Sequence, residues 1–437
     1  MNEIVIPHNF DPEKRPYQLK ILKSRARFKF LIIHRKAGKT ALAVNRLIIQ
    51  SLKQVGIRWY VAPTYKQGKE IVWRDPDMLF KYIPKEILAK KPNESELTVP
   101  FIGGSILGIK GADEPDALRG PNPKDVVLDE AFMMKQEIWT EILLPIAMAN
   151  PDMNIWIIGT PKPEGAFWWE LYQKFQARME AGDQNYFAMT LRAEDSGILS
   201  GEQLAEAKDT MTQMGYEQEF GCVYHGTEGV VFRGIDRCIL KTSGNQPIEY
   251  DEKEYNRNFR YKFGIDLARL QDWTVMTGIN RMNFHVDYFD RFNQVDYRLQ
   301  KARIEAVLRR YGNAEADIDS TGVGDPIVDD LGGRGLNVRG IGFTEQMKAN
   351  LIQNLALHIE QGKIKFPNIP DLITELRQFG YEVTKGGHVR YSAPDGKHDD
   401  CVISLALAVW ELGSRLKPTG AAVLDGPVSS GRRTSFQ

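Results

Sequence analysis

Cysteine is nearly absent. Cys222, Cys238 and Cys401 are the only three in 437 residues, widely spaced and with no CxxC pair. An odd, scattered set of this kind excludes a disulfide framework and a zinc ribbon. Long apolar runs are missing as well: none approaches the ~18 residues needed to span a bilayer. The opening MNEIVIPHNF lacks the basic-then-apolar layout of a secretory leader. Nor is there an excess of charge of either sign, since 57 Lys+Arg face 57 Asp+Glu. That balance excludes a uniformly basic nucleic-acid coat and requires any phosphate-binding surface to be local. These absences point to a soluble protein of a reducing compartment. What is present is ordinary for a globular chain, 42% hydrophobic and 26% charged, which excludes a disordered or fibrous one. At roughly 150 residues per domain the length suits three domains or two large ones.

Two halves with different grammar follow one another. From residue 28 to about 191, short β-branched runs alternate with helical patterns: FKFLII (28–33), RWYVAP (58–63), DVVLDE (125–130), NIWIIG (154–159) and YFAMTL (186–191). Alternation of this kind predicts a mostly parallel sheet covered on both faces. A helix is expected over 201–214 with Ser200 as its N-cap. The polar stretch 242–258 reads as a linker. Beyond it, YKFGIDLA (261–268), WTVMTGINRM (273–282) and NFHVDYFDRF (283–292) predict an antiparallel meander. Then come a helix (297–311), a buried strand ADIDS (316–320), an amphipathic helix (346–361), a Gly386-Gly387 hairpin and an apolar helix CVISLALAVW (401–410). The expected domains are therefore 1–195, a helical lid and linker 196–258, a second domain 259–415, and a Gly/Pro/Ser-rich tail 416–437 read as disordered.

The first chemical constellation lies in FLIIHRKAGKTALAV. An apolar strand leads through a short loop to Gly38-Lys39-Thr40 at a helix start. Glycine lets backbone N–H groups close on phosphate, Lys39 can reach the β/γ-phosphates, and Thr40 can ligate Mg²⁺. In DVVLDEAF, Asp129 can hold that Mg²⁺ and Glu130 can polarise the attacking water. A third strand, IWIIGTP, brings Gly159-Thr160 beside the phosphates. Gln18 can read an adenine edge, and either Arg35 or Arg119 can stabilise charge on the γ-phosphate. Three strand tips of this chemistry in this order predict a P-loop ATPase fold. Residues 14–39 also hold ten Lys/Arg and no acid, enough to serve nucleotide and, in part, DNA or a neighbouring subunit.

The second constellation is acidic. Asp266 lies in KFGIDLA, Asp319 in ADIDSTGVG, and Asp399-Asp400 just before the last helix. A first antiparallel strand, a later parallel strand and a terminal helix can converge at one sheet end, where carboxylates hold paired Mg²⁺ or Mn²⁺ ions for attack on a phosphodiester. Asp399 or Asp400 can equally N-cap that helix. Asp325 before Pro326 reads as an N-cap and Asp272 before Trp273 as a turn residue.

With these residues placed, the chain over about 10–415 resembles the large terminase subunits of tailed bacteriophages. The matching segments are PYQ (16–18), HRKAGKT (34–40), VAPTY (61–65), LRG (118–120), VVLDEA (126–131), IIGTP (157–161), GIDLA (264–268), DSTGVGD (319–325) and KHDD (397–400). The resemblance implies an α/β chain: an additional-strand P-loop ATPase domain, then an RNase H/integrase-like nuclease domain with a mixed sheet. It implies an ATP-driven motor that moves double-stranded viral DNA into a procapsid and cleaves concatemeric DNA with a two-metal site. By position, Gln18 meets adenine, Arg35, Gly38 and Lys39 meet phosphate, Thr40 and Asp129 hold Mg²⁺, Glu130 is the catalytic carboxylate and Thr160 couples hydrolysis to movement. Arg119 resembles an arginine that reaches a neighbour's nucleotide. Asp266, Asp319 and one of Asp399 or Asp400 bind the nuclease metals, with His398 nearby. Implied partners are the portal protein, the small terminase subunit and further copies in a ring on the procapsid, in the host cytoplasm. Ile33, where the general phosphate-loop signature has glycine, departs from the pattern. The alternatives are an ATP-dependent helicase-nuclease, for which no second ATP-facing lobe is visible, and an RNase H-like recombination nuclease, which leaves the GKT and LDEA strands unexplained.

Overall fold

The structure is a computed structural model that describes residues 5–267, 273–321, 324–384 and 388–412. Asp272, Gly386-Gly387, the tail 416–437 and the Asp325 side chain lie outside the described residues. The chain divides into two compact units: residues 1–251 with 343–402, and residues 252–342 with 403–437. The first division falls inside the 242–258 stretch. That stretch is also pinned where Glu249 bridges Asn368.

In the first unit, β1 (Phe28–Ile33), β2 (Ile57–Ala62), β3 (Thr98–Pro100), β4 (Ile106–Gly111), β5 (Pro123–Asp129), β6 (Asn154–Gly159) and β7 (Tyr186–Leu191) form one sheet. Its order is β3-β4-β2-β5-β6-β1-β7, parallel throughout except for β3 against β4. The five expected strands are all present, and β3 and β4 fill the interval between the second and third of them. β6 stands between β1 and β5, the inserted strand that an additional-strand ATPase requires. Because side chains alternate across a strand, Leu31 and Ile33 pack with the helix Lys39–Lys53, while Phe28, Phe30 and Ile32 pack with Trp168 and Phe175 on the other face. Burial on both faces explains why β1 is apolar at every position but Lys29.

The expected 201–214 helix is two helices. Gly201–Thr210 carries the full capping box of Ser200 and Gln203. Gln213–Glu219 starts afresh, with the Thr212 side chain accepting the Gly215 amide. Thr212 competes for the backbone as a cap and so ends the first helix rather than continuing it. A short strand, β8 (Glu228–Val230), follows.

In the second unit, β9 (Tyr261–Asp266), β10 (Trp273–Asn280), β11 (Val286–Asn293), β12 (Glu315–Asp319) and β13 (Val338–Ile341) form a mixed sheet in the order β11-β10-β9-β12-β13. The first three pair as the expected antiparallel meander, and β12 lies parallel to both β9 and β13. The helix Tyr297–Arg310 is capped by Asp296. Asp317 is fully buried and held by Lys262 at 2.8 Å and by both arms of Arg339, each at 2.8 Å. The helix Gly324–Gly333 already includes Asp325, which therefore lies in its first turn and not at the N-cap position. Back in the first unit, β14 (Gly380–Val383) pairs antiparallel with β15 (Val389–Ser392) and with β8.

The helix Asp400–Val409 meets β9 with almost no separation. A Cβ on Gly264 would stand 2.0 Å from the Ser404 carbonyl oxygen and 2.3 Å from the Ala408 nitrogen. The Ser404 hydroxyl donates to the Gly264 carbonyl at 2.9 Å. Gly264→Ala is therefore expected to destabilise this unit by about 3 kcal/mol or to prevent its folding, read as a lower urea midpoint. A loss below about 0.5 kcal/mol would show that the helix shifts without cost.

Candidate functional site

The parallel order brings the ends of β1, β6 and β5 to the same edge of the first sheet. The loop after β1 turns at Lys36 (φ 68°) and Gly38 (φ 89°), both left-handed, before the helix at Lys39. Glycine at 38 reaches this conformation without the Cβ penalty. On β5, residues 125, 127 and 129 share one face, and on β2 residues 58, 60 and 62 do so. Asp129 and Tyr60 thus look toward the helix that carries Thr40. The Thr40 hydroxyl and the Tyr60 hydroxyl each donate to Asp129 Oδ2 at 2.6 Å, while the Glu130 amide donates to Oδ1 at 2.9 Å. Lys39 Nζ lies 2.8 Å from Glu130 Oε1, and the Thr160 hydroxyl is 3.4 Å from Glu130 Oε2. Glu130 itself is left-handed, with φ 55°, a sparsely populated conformation of the kind found at functional sites.

The electrostatics follow from burial. Burial, then the neighbouring Glu130, pushes the Asp129 carboxyl above the usual range, while Lys39 and the two hydroxyls oppose the shift. An oxygen pair that accepts three hydrogen bonds and donates none is held as a carboxylate. Burial disfavours the Lys39 ammonium, but Glu130 and Asp129 more than compensate and hold it above its ordinary value. Burial, then the Asp129 charge, keeps Tyr60 a protonated donor by raising its phenol well above the ordinary value. The Thr40 hydroxyl and the Asp129 carboxylate are hard oxygen donors that fit Mg²⁺.

The other expected nucleotide residues fall in different places. Gln18 sits in the first turn of the helix Pro16–Lys23 and is buried. Its Oε1 accepts the Asp11 amide at 3.2 Å, and its buried Nε2 has no close hydrogen-bond partner among the described residues. Arg35 is exposed; its amide donates to the Glu219 carbonyl at 2.9 Å, and its Nη1 is 3.7 Å from Glu219 Oε2. Arg119 pairs with Asp116 at 3.2 Å and Glu141 at 3.4 Å, not with the phosphate loop. Of the ten cations in 14–39, Lys29 and Lys39 are buried and Arg27 donates to the carbonyls of Ala147, Asn150 and Met153.

Tyr60, Lys162 and Glu219 escaped the sequence reading. Strand alternation alone would have put Tyr60 on the helix-covered face. Glu219 had no such signal, because only tertiary structure brings the helix Gln213–Glu219 to Arg35.

In the second unit, Ile265 pairs with Ile318 in parallel register. Asp266 and Asp319, one residue later on each strand, therefore end neighbouring strands at one edge. Asp319 Oδ1 accepts the Thr321 amide at 2.8 Å. Asp399 and Asp400 belong to the first unit. There Lys348 Nζ donates to Asp399 Oδ2 at 3.0 Å, and His398 Nδ1 lies 3.5 Å from Asp400 Oδ2. Among the described residues no group of three or more His, Cys, Asp or Glu side chains is gathered to hold a metal.

Residues 263–412 match the profile of the terminase RNaseH-like domain. The chain is 27% identical over 417 residues to the terminase large subunit of Thermus phage G20c, covering 90% of this chain and 86% of that one. The large terminase of another thermophilic bacteriophage shares its fold at 13% identity, with a TM-score of 0.56 over 90% of this chain and 98% of that one; a further crystal form of that protein holds ADP. The large terminase nuclease of phage G20c with bound magnesium is 33% identical over 41% of this chain and 96% of that one, with a TM-score of 0.38.

Tyr60→Phe removes one of three donors from a buried carboxylate. The expected cost is about 1.5–3 kcal/mol, the range for a hydrogen bond to a charged group, measured by urea unfolding. No measurable loss would mean that Thr40 and the Glu130 amide satisfy Asp129 by themselves.

Proposed function

The chain belongs to the large terminase subunits of tailed bacteriophages, and from that premise we propose how its residues hydrolyse ATP to drive double-stranded viral DNA into a procapsid and cleave concatemeric DNA. The observation that carries the ATPase reading is the cluster of Lys39, Thr40, Asp129 and Glu130 at adjoining strand tips, with Thr40 and Asp129 2.6 Å apart. Gly38 and the following amides cradle phosphate, Lys39 neutralises the β/γ-phosphates, and Gln18 offers its Nε2 to adenine. Thr40 and Asp129 hold Mg²⁺, which when bound neutralises charge on the transferring phosphoryl group. Glu130 orients the attacking water. Thr160, hydrogen-bonded to Glu130, passes the change in Glu130 to the end of β6. Arg35, beside the loop, supplies positive charge to the same nucleotide, whereas Arg119 faces outward and suits a neighbouring subunit's nucleotide.

For cleavage, Asp266 and Asp319, which end neighbouring strands of the second unit, would hold Mg²⁺ or Mn²⁺, which would activate water and stabilise the leaving oxygen when bound. In the first unit Asp399 is engaged by Lys348, so of the Asp399-Asp400 pair we favour Asp400 as a metal ligand, with His398 beside it. Residues 1–195 form the ATPase domain, 196–258 the lid and linker, and 259–415 the nuclease. Among the described residues no helix is long and apolar enough to cross a membrane. From the family we place its work in the host cytoplasm and at the portal vertex, in a ring of copies that meets the portal protein and the small terminase subunit.

Two sets of single substitutions in the full chain test this reading. Lys39→Ala is expected to abolish ATP hydrolysis. Glu130→Gln should keep nucleotide binding and lower turnover by about 10²–10⁴-fold. Both should cut duplex DNA at the parent rate. Asp266→Asn and Asp319→Asn should remove metal-dependent cleavage and leave ATP hydrolysis intact. Full ATPase activity in Lys39→Ala would refute the phosphate-loop assignment, and parent-rate cleavage by Asp266→Asn would reduce these acids to strand-end residues.

A further inference from the structure

Glu219 stands out among the acids near the phosphate loop because it comes from neither of the acidic strand tips. It is the last residue of the helix Gln213–Glu219 and is only 8% exposed. A carboxylate at a helix C-terminus opposes the helix dipole, and burial adds a desolvation cost. Three cations offset both. Lys162 Nζ is paired with Glu219 Oε1, Arg35 Nη1 is 3.7 Å from Oε2, and Lys39 lies close enough for its charge to stabilise the carboxylate. Burial alone would raise the Glu219 carboxyl; Lys162 first, then Arg35 and Lys39, hold it below its ordinary value. Lys162 follows Thr160 by two residues, and Thr160 touches Glu130. Arg35 and Lys39 belong to the phosphate loop itself.

We propose that Lys162 and Glu219 are a specificity-determining pair that distinguishes a nucleoside triphosphate from a diphosphate. The proposal rests on the nucleotide reading given above. A terminal phosphate carries more charge than a carboxylate and three acceptor oxygens, so it competes with Glu219 for Lys162 and Arg35. A diphosphate, ending one phosphoryl group short, leaves both cations on Glu219. The exchange loosens the end of the helix Gln213–Glu219, whose residues Gln213, Tyr216 and Glu217 border a cavity of about 550 Å³ that gives the helix room to shift. Lys162 is thereby a phosphate-contacting residue, and Glu219 is a positioning residue acting through it.

The test is calorimetric titration of the full-length chain with ADP and with a non-hydrolysable imido analogue of ATP. It is paired with hydrogen exchange of residues 213–221. Glu219→Gln should tighten the triphosphate analogue relative to ADP by roughly tenfold, about the worth of one charge-assisted hydrogen bond. It should also abolish the analogue-induced rise in exchange of the helix that is expected in the parent. Lys162→Gln should weaken the analogue relative to ADP by a similar factor; should Glu219→Gln fail to fold, this variant decides alone. An analogue-to-ADP affinity ratio unchanged in the folded variants overturns the pair while leaving the nucleotide site standing. A parent chain that binds neither nucleotide overturns both.

Discussion

Asp129 receives hydrogen bonds from three separate stretches of chain: the phosphate-loop helix through Thr40, the neighbouring strand through Tyr60, and the residue that follows it. Each donor has little freedom. Tyr60 is fixed within β2, Thr40 sits on the first turn of a helix whose Leu42, Leu47 and Ile48 are buried against the sheet, and the Glu130 amide is held by a left-handed backbone. A buried carboxylate without these donors would be too costly to keep ionised. The phosphate loop, the acid-bearing strand and the sheet face between them are therefore set by one interaction. Lys39 and Glu130 then add an ion pair at 2.8 Å beside it, so opposite charges are already positioned at these strand tips.

The same sheet face carries a second ionic arrangement at its other end. Asp125, four residues before Asp129 and so on the same side of β5, is paired with Arg58 at 3.1 Å and Arg46 at 3.3 Å. Lys29 is buried on β1 with no carboxylate paired to it among the described residues. Burial, then the Arg46 charge, pushes its ammonium down to about 7. Its Nζ donates to the Ser24 carbonyl at 2.7 Å. One end of the face is thus rich in cations and the other in acids. Buried ion pairs contribute little net stability against a hydrophobic alternative, but removing one partner strands the other, which makes these positions intolerant of single changes.

In the second unit the anchoring element is a close approach of backbones. Gly264 lets the last helix lie directly on β9, and Ser404 ties the two by donating to the Gly264 carbonyl. On the adjoining strand, Lys262 and Arg339 satisfy the fully buried Asp317, two residues before Asp319. The two aspartates share one face of β12, so position along the strand and not alternation sets them apart. Asp317 is consumed by the core, and Asp319 ends the strand beside Asp266.

Elements that depend on local physics could be read along the chain. Apolar runs with turn residues between them marked β1, β2, β5, β6 and β7 to within about two residues. The order GKT, LDEA, GTP placed three polar tips on parallel strands, and alternation separated the halves by their grammar. Capping was also legible at Ser200, where side chain and backbone are neighbours, although the second cap at Thr212 was missed and two helices were read as one. Tertiary structure alone decided which side chains complete the sites. Tyr60 and Asp129 are 69 residues apart along the chain, and Lys162 and Glu219 are 57 apart. Tyr60 was in principle recoverable from strand alternation, but nothing in its local sequence named Asp129 as its partner. The Glu219 contact depends on how a short helix packs after β7. The same holds for Arg119, whose neighbours in sequence suggested a phosphate partner while its packing gives it Asp116 and Glu141. Periodicity and capping act over a few residues and can be read along the chain. Charge pairing acts through space, so its partners are known only once the chain has folded.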